Sequence, residues 1–211
     1  MFELLRILYD LIVVGGFERS GLGLRSGITY GHCILRSNLG NEILRDFTVT
    51  GETVNLAARL EHLTIRELIV HNRMYFERAV DKYPQIKELV YAYGGYENLN
   101  EENKTVIHEF TIFQNMVSNL EKLEKIRFDI RMNEAFYFKL RDYLEKKGFS
   151  VLNRESADIH CYEAYHIDGF DLKFYFSYYN PKGFAKFEKI WILPIETDLL
   201  VNSDIEKLRG I

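Results

Sequence analysis

The sequence predicts an α+β fold, and three observations support this prediction. In the first half of the chain, short apolar runs bounded by Gly, Asn and Asp alternate with amphipathic helical stretches. A long, highly charged helical stretch follows at residues 120–147. Consecutive strand candidates separated by turn residues come next, as is typical of an antiparallel β-meander: 149–153, 158–167, 170–179 and 185–193.

The elements of the first half are shorter. We expect strands at 24–35, 47–50, 68–70 and 106–113, helices at 2–14, 53–63 and 73–80, and turns or loops at 36–46 and 83–104. Gly27 and Gly31 lie within the first of these strands, and glycine inside a strand often marks the close approach of another backbone or a ligand. Within the charged helical stretch we expect an interruption near 129–133.

The composition restricts the class of protein. The 211 residues suffice for one large domain or two small ones, and 47% hydrophobic with 27% charged residues is ordinary for a soluble globular chain. The net charge is −4 and no basic stripe occurs, so nucleic acid is not an expected partner. The two cysteines, Cys33 and Cys161, are far apart, which favours a reducing, cytoplasmic compartment over a disulfide-linked secreted fold.

The N-terminal residues 1–17 are apolar but include Glu3, Arg6 and Asp10. A membrane-spanning helix needs roughly 20 apolar residues, and this run is shorter. A basic start and a small-residue cleavage site, which would mark a signal peptide, are not evident. We therefore expect a buried helix here and no membrane segment in the chain.

The segment 45–61 carries the most chemical information, because its pattern is strand, tight turn and helix. Asn55 and Arg59 are four residues apart and share one helix face, while a stripe of leucines occupies another face. An amide beside a guanidinium suits a sugar hydroxyl and a phosphate. From spacing alone, a solvated polar face with an ordinary i,i+4 pair is the simpler alternative.

This segment resembles the signature of the class III adenylate and guanylate cyclase catalytic domain. The similarity is ungapped from Gly40 to Glu61 and includes DFTVTGETVNLAARLE at 46–61. As in the family, a glycine-containing strand, RSGITYG at 25–31, and an Asn-x-Gly loop at 38–40 precede it. The resemblance implies that residues 1–115 form a partial cyclase domain built on a truncated ferredoxin-like sheet. Residues 116–211 are then a separate, unassigned α+β region of one helix and the meander.

The resemblance also implies a reaction, in which the ribose 3′ hydroxyl of a nucleoside triphosphate attacks the α-phosphate and pyrophosphate leaves. It implies that Arg59 stabilises the charge developing on the phosphate and that Asn55 orients the ribose. Thr48 falls at the base-selecting position and resembles the Thr-type adenylate cyclase subtype. Because a hydroxyl both donates and accepts hydrogen bonds, Thr48 favours ATP over GTP only mildly. Family sites form between two chains, which implies a homodimer or a heterodimer with a cyclase-like chain.

Two features of the family are missing from this sequence. Family members hold two Mg²⁺ or Mn²⁺ ions, which clamp the attacking and leaving oxygens, with a pair of aspartates placed before the helix that here begins at Met1. No motif of that type occurs in the sequence, so we expect the chain to supply none of the metal ligands. The position of the family's phosphate-binding lysine aligns near Asn100. Lys104 is the closest substitute, and the alternative is an ordinary solvated loop lysine.

Two further groups of residues have simpler explanations. His160 and His166 flank Cys161 on an expected strand, but the histidines would face one side and the cysteine the other. A shared metal site is therefore not expected. The aromatic run 174–179 suits a base-stacking platform, but the acidic charge balance favours the core of the sheet.

Two functional hypotheses follow. In the first, the chain belongs to the adenylate cyclase class and converts ATP to cyclic AMP and pyrophosphate in signal transduction. It is then inactive alone and depends on a partner that carries the metal aspartates. In the second, it is a degenerate, non-catalytic cyclase-like module that binds nucleotide or regulates another protein.

Overall fold

The computed structural model describes residues 23–37, 47–80, 101–167 and 170–195. The predictions for 2–14, for most of the turn at 36–46, for 83–100 and for the turn residues between the strands expected at 158–167 and 170–179 fall outside these ranges. The described strands are β1 (Leu24–Ile28), β2 (Ile34–Ser37), β3 (Phe47–Thr50), β4 (Phe128–Asn133), β5 (Tyr162–Ile167), β6 (Phe170–Tyr179) and β7 (Glu188–Pro194). The described helices are α1 (Glu52–His62), α2 (Ile65–Val80), α3 (Glu101–Leu123), α4 (Glu134–Lys146) and α5 (Ala157–His160), with a 3₁₀ turn at Arg154–Ser156.

Five of these strands form one mixed sheet in the order β1-β4-β7-β6-β5, and β2 pairs with β3 in a separate antiparallel ladder. β1 is parallel to β4, and the other neighbours in the sheet are antiparallel. The α+β class predicted from the sequence is confirmed. The meander is confirmed as well, because β5, β6 and β7 are consecutive and antiparallel.

Helices cover both faces of the five-stranded sheet. Side chains alternate along a strand, so Trp191 and Leu193 of β7 pack towards α4, whereas Ile190 and Ile192 pack towards α1 and α2. The aromatic run 174–179 contributes to both cores: Phe174 and Phe176 lie on the α4 face and Tyr179 on the α1 face. The interpretation of this run as sheet core is therefore confirmed.

The strand predicted at 68–70 is wrong, and the short helix predicted at 73–80 is the second half of α2. Thr64 and Glu67 form a reciprocal capping box that starts this helix. The backbone N–H and the hydroxyl of Thr64 donate to Glu67 Oε2 at 2.7 and 2.8 Å, and the N–H of Glu67 donates to Thr64 Oγ1 at 3.1 Å. The Thr-x-x-Glu spacing predicts the start of a helix, but the short apolar run 68–70 favoured a strand in the sequence analysis.

The strand predicted at 106–113 is also wrong, because these residues lie in α3. Phe113 stacks on Phe76 of α2 with ring centroids 4.7 Å apart, and Met116 and Leu120 are buried three and seven residues further along. The apparent alternation was part of a helical apolar stripe. Lys104, expected in a loop, lies in the first turn of α3.

The helical stretch predicted at 120–147 is divided by β4, which lies where the interruption near 129–133 was expected. This strand contains two charged residues, Asp129 and Arg131. In the strand they project to the same side as neighbours two residues apart, and Arg131 Nε donates to Asp129 Oδ1 at 2.8 Å. Pairing lets both charged groups be buried within the fold.

Three other boundaries differ from prediction. The strand expected at 24–35 is divided into β1 and β2. The strand expected at 158–167 begins only at Tyr162, because α5 precedes it and ends at Cys161 with φ of 60°. The strand expected at 149–153 contributes a single bridge, between Val151 and Tyr165. His160 and His166 consequently do not lie on one strand.

The boundary predicted between residues 115 and 116 lies within α3, and β1 pairs with β4 from beyond that boundary. The two predicted segments therefore share one sheet, and their division into separate domains stays a prediction. In the described ranges, no helix has the length and apolar character needed to cross a bilayer.

Candidate functional site

Helix α1, which carries the candidate residues, is packed closely against the sheet. Leu56 and Leu60 are buried on its inner side. A Cβ atom on Gly27 of β1 would lie 2.1 Å from the carbonyl oxygen of Ala57, so this approach of helix to strand requires glycine. The expectation that a glycine in this strand marks a close backbone approach is therefore confirmed.

A buried charged pair fixes the C-terminal end of α1. Arg131 is fully buried and its Nη1 donates to the carbonyl oxygens of Leu63 and, at 3.4 Å, Leu60. Its Nε and Nη2 donate to the two carboxylate oxygens of Asp129 at 2.8 and 3.2 Å. A cation at this end complements the helix dipole, and the two-point pairing with a carboxylate gives a defined orientation. The helix therefore presents its outer face at a fixed angle to the sheet.

That outer face opens onto a groove of about 450 Å³. Asn55 is exposed and Arg59 is half-buried, and both line it. The remaining lining residues are Ala58, His62, Leu63, Glu67 and Tyr179. The structure thus brings together two of the predicted site residues on one accessible surface, and the volume lies in the usual range for small-molecule sites.

Arg59 already has partners from the distant β6–β7 connection. Its Nη1 donates to the carbonyl oxygen of Lys182, and its Cζ lies 5.7 Å from the ring centroid of Phe184. A carbonyl oxygen and an aromatic face are both favourable neighbours for a cation. The guanidinium is therefore held at the rim of the groove by residues more than a hundred positions away.

The other polar groups of the groove have defined charge states. Hydrogen bonds from Thr64 lower the pKa of the Glu67 carboxyl, so it is anionic at neutral pH. Burial raises the pKa of the Tyr179 hydroxyl, with the nearby Arg59 charge acting in the opposite direction. His71 packs edge-on against the Tyr179 ring at 5.1 Å, and burial lowers the pKa of its imidazole. The groove thus presents a cation, an amide and a neutral hydroxyl beside an anion held in a helix cap.

The backbone positions of the other two predicted site residues are defined. Thr48 lies on β3 opposite Arg36 of β2, three residues before Gly51. Lys104 lies near the start of α3. The side chains of both residues fall outside the described part of the chain. Their assignment to base selection and to phosphate binding therefore stays a prediction.

Sequence reasoning missed three groups in the groove. His62 could have been found, because it follows Asn55 by seven residues and Arg59 by three, which places it on the same helix face. Glu67 could have been found as the last residue of its capping box. Tyr179 has no local signal, since only the sheet brings it beside α1.

The resemblance also implies a divalent metal site. Mg²⁺ and Mn²⁺ prefer hard oxygen ligands. In the part of the chain that the structure describes, no group of three or more His, Cys, Asp or Glu side chains is arranged to hold a metal ion. Cys161 is buried, and His166 Nδ1 lies 2.9 Å from Asp171 Oδ1. The described residues therefore offer no cluster of three or more such ligands for a metal ion.

Comparisons of the chain with protein-family models, with curated proteins and with solved structures give no match. A functional assignment therefore depends on the resemblance of segment 46–61 and on the geometry of the groove.

Proposed function

We propose that this chain is a class III nucleotidyl cyclase-like protein that supplies the Asn and Arg half of a shared nucleotide site. In this proposal its first 115 residues are a partial, ferredoxin-like cyclase domain. The substrate is ATP, with GTP as the weaker alternative, and the products are cyclic AMP and pyrophosphate. The observation that carries the proposal is that Asn55 and Arg59 line one groove from one helix face.

The chemistry of the two residues suits this role. The guanidinium of Arg59 is permanently charged and donates two parallel hydrogen bonds to phosphate oxygens. It can therefore stabilise negative charge that develops on the α-phosphate during attack by the 3′ hydroxyl. The amide of Asn55, one turn earlier, both donates and accepts, and so can fix a ribose hydroxyl. The buried Arg131–Asp129 pair keeps the helix that carries both residues in register with the sheet.

In this proposal the metal ligands come from a second chain. Mg²⁺ or Mn²⁺ would there activate the attacking oxygen and neutralise the leaving pyrophosphate. No step is assigned to a metal on the described residues, because they do not offer a ligand set. The partner is then either another copy or a different cyclase-like chain, and only the second agrees with the absence of the family's aspartate motif from this sequence.

The test mixes the purified chain with an aspartate-bearing cyclase chain whose own arginine and asparagine have been replaced, and adds ATP and Mn²⁺. We expect cyclic AMP from the mixture and none from the chain alone. Arg59→Ala should lower the rate by at least about a hundredfold, since one charge-stabilising donor commonly contributes that much. Arg66→Ala is the matched control, because Arg66 is exposed and pairs with Glu124. Equal rates for the Arg59 and Arg66 variants would refute the proposal.

A second candidate is a non-catalytic module that binds nucleotide without turnover. The contact of Arg59 with the Lys182 carbonyl favours it, because one N–H donor of the arginine is already used within its own chain. Calorimetry with ATP and GTP, with and without Mg²⁺, separates the two candidates. Arg59-dependent binding that ignores metal, with no cyclic nucleotide formed in the mixed assay, would favour the module.

A further inference from the structure

We propose that the turn formed by residues 181–184 is a displaceable cover, which competes with an anionic ligand for Arg59. This inference rests on the proposed nucleotide site and adds its regulation. The proposal gives a regulatory role to one turn of residues 116–211, a region that had no assigned role.

The conformation of the turn aims its carbonyl at the arginine. The N–H of Phe184 donates to the carbonyl oxygen of Pro181 at 3.1 Å, which closes a four-residue turn. Gly183 has φ of +87°, the value of the third position of a type II turn. Types I and II differ by a flip of the central peptide, which here contains the carbonyl of Lys182. The positive φ of Gly183 therefore determines which way that carbonyl points.

The end residues of the turn are packed against the protein, whereas its two central residues are exposed. Pro181 is buried, and Phe184 packs against the core beneath α1 and α2. Lys182 and Gly183 are exposed. A Cβ atom on Gly183 would meet nothing within 4 Å. The central peptide can thus change orientation without displacing a packed neighbour.

An anionic ligand is the stronger acceptor for Arg59. Hydrogen bonds between a guanidinium and a phosphate are roughly twice as strong as those to a neutral acceptor such as the Lys182 carbonyl. A phosphate therefore displaces the carbonyl, but the apparent affinity is reduced by the fraction of molecules in which Arg59 is already engaged. Any change that turns the Lys182 carbonyl away from Arg59 should raise the affinity of the groove for a phosphate.

The substitution Gly183→Ala tests this directly. It adds one methyl group in open space, but disfavours the positive φ and hence the type II turn. Gly148→Ala is a matched control, because Gly148 also has a positive φ, of +92°, and also has nothing within 4 Å of an added Cβ. Gly148 follows α4 and does not line the groove. Both variants carry similar backbone strain, and only one of them affects the cover.

We would titrate each variant with inorganic pyrophosphate and with ATP in a calorimeter, without metal. We expect Gly183→Ala to bind both probes about fivefold more tightly than the parent chain. Gly148→Ala should bind as the parent does, and Gly183→Ala combined with Arg59→Ala should lose the gain. Arg59-dependent binding that is equal in the parent and in Gly183→Ala would overturn the cover and leave the nucleotide site standing.

A readout that needs no nucleotide separates the two proposals. Phenylglyoxal modifies accessible arginines, and peptide mass spectrometry measures the rate at Arg59 with the exposed Arg66 as internal reference. Gly183→Ala should raise the Arg59 to Arg66 ratio severalfold, and Gly148→Ala should not. If neither probe binds any variant but this ratio rises, the nucleotide site fails and the contact stands; an unchanged ratio rejects the cover whatever the calorimetry gives.

Discussion

The two faces of the central sheet differ in the polarity of the side chains that are buried against them. The face under α4 is an apolar core in which Tyr137 stacks on Trp191 with ring centroids 3.7 Å apart. The face under α1 and α2 contains the buried polar residues of the described ranges: Asn72, Asp129, Arg131 and Ser177. The candidate groove opens beside this second face, at the outer side of α1.

This difference indicates what each face contributes. Apolar packing is strong but weakly directional, so the α4 face mainly supplies stability, although Tyr137 Oη of α4 also donates to Glu163 Oε2 of β5. Hydrogen bonds are directional, and the polar face uses them between elements: Asn72 Nδ2 of α2 donates to Ser177 Oγ of β6 at 2.7 Å, and Arg131 of β4 donates to carbonyls of α1. The polar face therefore determines where α1 and α2 lie, and with them the groove.

Arg131→Met is expected to have the largest effect on stability. It leaves the Asp129 carboxylate buried without its main partner and the α1 carbonyls without their donor. Removing one member of a buried pair commonly costs about 3–5 kcal/mol, measured here as the loss in unfolding free energy in urea. Because the lost contact holds α1, pyrophosphate binding should weaken as well, at temperatures where the variant is still folded.

The double substitution Asp129→Leu and Arg131→Met is the control for Arg131→Met. Replacing a whole buried pair by apolar groups is often close to neutral, so part of the lost stability should return. The binding defect should remain, because the carbonyls of Leu60 and Leu63 still lack a donor. A variant that regains stability and binding together would contradict a positional role for the pair.

Leu144→Ala tests the opposite face. Leu144 is fully buried in the core under α4, and truncating such a leucine costs about 3 kcal/mol through lost contacts and a residual cavity. Because this face does not contact α1, binding measured on the folded variant should equal that of the parent chain. A weakened affinity in this variant would mean that the two faces are not separate in function.

The sequence predicted the α1 face well and the rest of the groove poorly. The helix at 53–63, the strand before it and the shared face of Asn55 and Arg59 all follow from local spacing, which a helix converts directly into position. The contact of Arg59 with Lys182 depends on sheet pairing across more than a hundred residues. No local periodicity encodes such a contact.

The wrong secondary-structure predictions have a common physical cause. Residues 68–70 and 106–113 are short apolar runs, for which periodicity does not separate strand from helix. At 68–70 the helix is started by the capping box of Thr64 and Glu67. At 106–113 the helical residue Phe113 packs on Phe76. At β4 the interruption near 129–133 was predicted, but the strand and the burial of Asp129 and Arg131 were not. Their burial depends on each other and on α1, and so on tertiary structure.

The smallest expected effect is a pH dependence that belongs to the polar face alone. Burial lowers the pKa of His71 from its ordinary value of 6.5, opposed by the Glu67 carboxylate, and its ring packs on Tyr179. The unfolded chain then binds the proton at higher pH than the folded chain. Stability is therefore fully present above pH 6.5 and declines as the pH falls towards the lowered pKa.

His71→Phe keeps an aromatic ring beside Tyr179 but cannot be protonated. Since the His71 side chain is only partly buried, its contribution should stay below about 1 kcal/mol. Urea unfolding at pH 8, 6 and 5 should show the parent chain losing more stability than His71→Phe over this range. Both chains should behave alike between pH 8 and 7, where the imidazole is neutral in either state. If the stability of the parent chain and of His71→Phe falls equally down to pH 5, His71 is solvated as fully in the folded chain as in the unfolded one. His71 then adds no pH dependence to this face of the sheet.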